Sequence, residues 1–199
     1  MNAIPAEVLI GAERKPHRTA GWWGMIATIA TEAALFAYLL FSYGYIAAQA
    51  PQPWPPVGAP ELKLALPNTL VLIASSVTVW WAERRLSRRG DLRGCRRGFL
   101  ATLALGAVFV AVQLLEWHKK SFTPSAHVYG SLYFTITGFH MAHVVAGWLM
   151  LAAVTWWLAI GRAGPARPVP VAVRAVYWHF VDAVWLAVFT TFYLLPRLG

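Results

Sequence analysis

Five long apolar runs dominate this 199-residue chain, and they leave few folds open to it. They extend approximately from Ala20 to Ala48, Leu64 to Trp81, Gly98 to Trp117, Val128 to Ile160 and Val171 to Leu195. A helix of about 20 apolar residues crosses the hydrocarbon core of a bilayer, so each run is long enough. Inside lipid every backbone N–H and C=O must be bonded within the protein, and a continuous apolar run does this as a helix. Barrel strands would alternate apolar and polar residues over about ten positions, and these runs do not. The expected fold is therefore all-α: one polytopic membrane domain over residues 1–199 with five transmembrane helices. Composition agrees, because only 13% of residues are charged, against about 25% in soluble domains.

The connections between the runs carry the charge. Pro51-Gln52-Pro53-Trp54-Pro55-Pro56 is a stiff, non-helical connector. A short basic loop is expected from Arg84 to Arg97, Pro124 breaks the next connection, and Gly161 to Pro170 holds three prolines and two glycines. With the N-terminus inside, the inner segments hold Arg14, Lys15, Arg18, Arg84, Arg85, Arg88, Arg89, Arg93, Arg96, Arg97, Arg162, Arg167 and Arg174. The outer segments hold only Lys63, Lys119, Lys120 and Arg197. This asymmetry predicts a cytoplasmic N-terminus and an external C-terminus. It also explains the net charge of +9 without nucleic acid as a partner. The arginines of the basic loop (Arg84, Arg85, Arg88 and Arg89), together with Arg174, are candidates for contact with anionic lipid headgroups. Residues 1–19 lack the apolar core of a cleavable signal peptide, so the first span is expected to direct insertion. The single Cys95 excludes an internal disulfide and a cysteine-based metal site.

Ionisable residues at membrane depth cost about 2.5–3.5 kcal/mol each on insertion scales, so they need partners or a purpose. Glu32 lies in the first run, Glu116 beside Gln113 near the end of the third, His140 and His143 in the fourth, His179 and Asp182 in the fifth. The two i, i+3 pairs each share a helix face, and Trp178 and Trp185, seven apart, share another. Three chemistries suit this set: a metal site of two histidines and two carboxylates, a proton relay through Glu32, or interhelical hydrogen bonds that lock the bundle. Residue types alone favour the last of these, and nothing marks either His140 or His143 as a haem ligand. Ser75, Ser76 and Thr78, with Gly130, Gly138 and Gly147, are expected to permit close helix packing. Trp22, Trp23, Trp80, Trp81, Trp117, Trp156 and Trp157 are expected at the interfaces.

Several short motifs, taken in order, then resemble one family. Tyr129-Gly130-Ser131 followed by Thr137-Gly138-Phe139-His140-Met141-Ala142-His143-Val144 is similar to a YGS…TGFHxxHV signature. Tyr177-Trp178-His179-Phe180-Val181-Asp182-Ala183-Val184-Trp185 is similar to YWHFVDxVW. Trp54-Pro55-Pro56, Pro67-Asn68-Thr69-Leu70, Ser75-Ser76-Val77-Thr78, Thr31-Glu32 and the Gln113…Glu116 pair also match. Together, from about Gly21 to Tyr193, they resemble cytochrome c oxidase subunit III. Lys63, Glu83-Arg84-Arg85 and Lys119-Lys120 depart from the family pattern.

The resemblance implies a five-helix bacterial form in the inner membrane, binding no haem or copper itself. Those groups would sit in partner subunits, with subunit I the main contact and subunit II and others in the same complex. It implies a cleft holding phospholipids, support for proton uptake into subunit I, and protection of that subunit from turnover-linked inactivation. It places the carbodiimide-reactive carboxylate of the family at Glu32. Glu32, His140, His143, His179 and Asp182 are then expected to form one buried polar network, with no catalytic residue on this chain. The alternatives are an accessory subunit of a quinol oxidase or nitric oxide reductase, or a small proton- or metal-coupled transporter.

Overall fold

A computed structural model describes residues 20–50, 53–162 and 169–198. Arg14, Lys15, Arg18, Arg167, Pro51 and Gln52, used above to read orientation and connectors, lie outside the described residues. The described chain is helical, without strands: α1 (Ala20–Gln49), α2 (Leu62–Arg89), α3 (Leu92–His118), α4 (Val128–Ala159) and α5 (Val169–Phe189). A π turn (Thr190–Leu194) and a 3-10 turn (Leu195–Arg197) extend α5. Five helical segments, counting this extension with α5, are long and apolar enough to cross a membrane.

The helices match the apolar runs at most ends, but the expected basic loop is largely absent. α2 continues through Arg89 and α3 begins at Leu92, so Arg84 to Arg97 is helix interrupted only at Gly90-Asp91. Gly90 takes φ 61°, which a residue without Cβ adopts freely. Its N–H donates to the Leu86 carbonyl (3.0 Å), and the Asp91 N–H to that of Arg85 (3.1 Å). The first is the 5→1 bond of an αL helix C-terminus. Asp91 then caps α3 by accepting the Gly94 N–H at 2.8 Å. Hydropathy marks where lipid ends, whereas helix hydrogen bonds need no lipid, so the helices outrun the apolar residues.

α2 and α3 consequently form a tight antiparallel hairpin. Gly98 faces Ala82, and a Cβ on Gly98 would lie 2.6 Å from that of Ala82. α5 packs against α1, α2 and α4, and its Trp178 and Trp185 are fully buried. Each indole N–H donates to a hydroxyl of α2: Trp178 to Ser75 (2.9 Å) and Trp185 to Thr69 (3.0 Å). The seven-residue spacing thus puts two indoles on one seam, and the hydroxyls that face them satisfy both. α1 is different. Among its described residues only Phe36 and Tyr43 are buried, and its main contacts are with α5 and α4. Trp54 donates to the Tyr43 hydroxyl at 3.2 Å, joining the connector to α1 near Tyr129 and Phe192.

Candidate functional site

The ionisable residues at membrane depth fall into three separate clusters plus one isolated ring. The first joins α1 to α4. Glu32 Oε2 lies 2.8 Å from His143 Nε2, and His143 Nδ1 lies 2.6 Å from the Phe139 carbonyl oxygen one turn back. A carbonyl only accepts, so Nδ1 carries hydrogen. Nε2 and Glu32 then share one proton: either imidazolium beside carboxylate, or neutral imidazole accepting from carboxylic acid. In both forms the pair is neutral overall, which lowers the cost of placing it between helices. Phe36, one turn beyond Glu32, packs edge-on against His143 with ring centres 5.1 Å apart.

The second cluster joins α2 to α5. Ser76 Oγ sits 2.8 Å from His179 Nδ1 and also hydrogen-bonds Asp182 Oδ2. A hydroxyl has one hydrogen; donated to the carboxylate, it leaves the oxygen to accept from Nδ1–H. His179 and Asp182 share a face of α5, as their spacing requires, and Ser76 is the group both meet. Sequence reasoning treated Ser76 only as a small packing residue. Its signal was position: it adjoins Ser75 on α2, which accepts the Trp178 indole.

The third cluster centres on Glu116, 4% exposed near the end of α3. Its Oε1 accepts from Tyr193 (2.6 Å), Lys120 (2.9 Å) and Tyr133 (3.3 Å), and the two tyrosine hydroxyls lie 2.9 Å apart. Lys120 Nζ also stands 4.9 Å from the centre of the Tyr133 ring. The departure from the family pattern at Lys120 therefore supplies the counter-charge of a buried acid. Tyr133 and Tyr193 were not foreseen as its partners, because residues 17 and 77 positions away carry no spacing signal; Lys120, four residues on, was legible as an i, i+4 pair.

His140 does not join the network expected for it. Its ring is 1% exposed and neither nitrogen has a hydrogen-bond partner among the described residues. It lies between Trp185 (4.9 Å between ring centres), Phe109 (6.1 Å) and Phe36 (6.4 Å). Residues three apart on a helix point about 60° apart, enough to aim His143 at α1 and His140 into the aromatic core. The single network expected from Glu32, His140, His143, His179 and Asp182 is thus two pairs on different helix contacts, with no hydrogen bond between them among the described residues. Nor do three or more His, Cys, Asp or Glu residues converge as a metal site among those residues.

The arginines expected at headgroups stand at the hairpin end. The Arg84 guanidinium stacks 3.7 Å from the Trp80 ring centre and that of Arg85 4.7 Å from Trp81, while Arg85 also pairs with Asp91 at 3.6 Å. Arg88 and Arg89 are exposed in the last turn of α2. Arg174 of α5 lies 5.0 Å from the Trp157 ring. Each stacked indole holds a guanidinium next to the apolar part of its helix, an arrangement worth about 0.5–1 kcal/mol where exposed.

Comparison with known proteins gives consistent results. The family model "Cytochrome c oxidase subunit III" matches residues 4–196. A probable cytochrome c oxidase subunit 3 of Nocardia farcinica is 38% identical over 178 residues, covering 85% of each chain. The cytochrome c oxidase subunit 3 of Thermostichus vulcanus is 33% identical over 177 residues, 87% of each chain. That of Gallus gallus is 35% identical over 179 residues, 86% of this chain and 68% of its own length.

Proposed function

The chain belongs to the cytochrome c oxidase subunit III family, and we propose that it is a non-catalytic subunit of a haem–copper oxidase in a bacterial inner membrane. In this reading it packs against subunit I, with subunit II and others in the same complex. Oxygen is reduced on subunit I, where haem and copper reside, while this chain stabilises that subunit, holds phospholipid in a cleft and supports proton uptake. Arg84, Arg85, Arg88, Arg89 and Arg174 would meet lipid headgroups on the cytoplasmic side, consistent with the charge asymmetry.

The observation that carries the reading is the Glu32–His143 contact at 2.8 Å. A carboxylate on the least embedded helix shares a single proton with an imidazole of α4. The Glu32 side chain is 30% exposed and that of His143 14%, so the pair reaches the outer surface of the α1–α4 contact. That suits a group which exchanges protons as well as tying helices together. Asp182, which meets Ser76, and Glu116 with its tyrosines are buried, and these clusters serve to hold the bundle.

The test is Glu32→Ala in the intact oxidase. Assembly and haem content should stay close to wild type, while activity decays faster over repeated turnovers or proton uptake slows. Unchanged turnover lifetime together with unchanged uptake removes Glu32 from any proton role. Purification without a haem-bearing partner, with solute movement by the chain alone in liposomes, would point instead to a transporter.

A further inference from the structure

We propose that the cavity between the start of α3 and the end of α4 binds the phosphate group of an acidic phospholipid headgroup. The cavity measures about 300 Å³ and is lined by Leu92, Arg93, Arg96, Arg97, Leu100 and Leu158. Arg93, Arg96 and Arg97 stand at i, i+3 and i+4, so one face of α3 presents three guanidiniums to a single space. The ion pairs found among the described residues are Arg85–Asp91, Lys120–Glu116 and His143–Glu32. None reaches this cavity, and no carboxylate lines it. Arg93, Arg96 and Arg97 are exposed; like charges three and four residues apart repel on a helix by a few tenths of a kcal/mol, and an anion held among them relieves that repulsion.

The chemistry of the lining selects the anion. Guanidinium forks match the paired oxygens of a phosphate, and such bonds are among the stronger ones available. The remaining walls are leucines: Leu158 of α4 is 7% exposed, whereas Leu100, one turn beyond Arg96 and Arg97, is 50% exposed. Charge at one end and apolar wall leading away along the helix fit a headgroup with acyl chains attached. A soluble anion would find no use for Leu100. This site uses arginines other than those of α2 and Arg174, and it does not rest on the oxidase reading; it requires only that the chain spans a membrane.

The experiment counts phospholipids retained by native mass spectrometry after detergent washing of the complex, purified through a tag on this chain. Wild type is compared with R93Q/R96Q/R97Q and with the single variant R96K, which keeps the charge but not the fork. Wild type should retain one more acidic phospholipid than the triple variant, whose retention falls about tenfold or more, with R96K between the two. A parallel wash in millimolar inorganic phosphate separates the sources. Persistence of the lipid supports a headgroup, and its displacement by phosphate supports the same anion site with free phosphate as the competing occupant. Equal retention of acidic phospholipid by wild type and the triple variant overturns the proposal. R96K gives the same test if the triple variant does not assemble.

Discussion

Replacing Gly98 by valine would test how closely the α2–α3 hairpin is packed. A Cβ at this position meets the Ala82 Cβ at 2.6 Å, Trp81 Cε3 at 3.1 Å and the Ala82 Cα at 3.2 Å. The last is backbone and cannot swing aside. Ordinary contact between carbon atoms is about 3.5–4.0 Å, so the two helices must part by roughly 1 Å before the γ-methyls are added. Overpacking of this kind costs about 1–3 kcal/mol. The gain in helix propensity from glycine to valine returns only a few tenths, so a net loss of about 0.5–2.5 kcal/mol is expected. Cys95, the only cysteine, is fully buried one turn from Gly98 and reports the loss directly. If labelling requires local opening, that loss raises the maleimide reaction rate of Cys95 by about 2- to 70-fold, read as a mass change on this chain. Adding Ala82→Gly removes the 2.6 Å clash and should reverse much of the effect, although Trp81 and the Ala82 backbone remain close. Wild-type labelling in the single variant, with the complex intact, would refute the idea that a glycine sets the distance between α2 and α3.

Two other substitutions probe the polar clusters. Asp182→Leu removes the acceptor of the Ser76 hydroxyl while His179 stays in place, so it should lower the yield of assembled complex more than Glu32→Ala does; equal yields would contradict this. Tyr193→Phe deletes the 2.6 Å bond to the buried Glu116 carboxyl, and thermal unfolding of the complex should register a loss of about 0.6–2 kcal/mol. Lys120→Met should cost more, because it leaves Glu116 without its cation, and a smaller effect than that of Tyr193→Phe would argue against this account.

The fold was largely legible because one constraint, the need to bond the backbone inside lipid, acts on every residue of each span. Where that constraint ends, hydropathy loses its hold: Arg84–Arg89 and Leu92–Arg97 were read as loop although both are helical. The information was present in another form, since glycine followed by aspartate is a helix stop followed by a helix start. The polar residues at depth were identifiable singly, and spacing placed His179 beside Asp182. It could not show that His143 would meet Glu32, 111 residues earlier, or that Ser76 would bridge to α5. His140 shows the limit most clearly. It has the same residue type as His143 and lies three positions away, yet its neighbours are aromatic rings. Which face of α4 looks inward is decided by the helices around it.

The closed turn at Gly90-Asp91 has a consequence for whatever meets this end of the molecule. α2 has 28 residues, so it runs about 42 Å at 1.5 Å per residue, some 12 Å more than the hydrocarbon is thick. Its excess, joined to that of α3, stands as a short two-legged post with arginines fixed at set heights along it. A headgroup or neighbouring subunit arriving there finds the backbone already ordered, so only side-chain freedom remains to be lost on contact. A floppy loop with the same residues would be just as positive but would have to be ordered first.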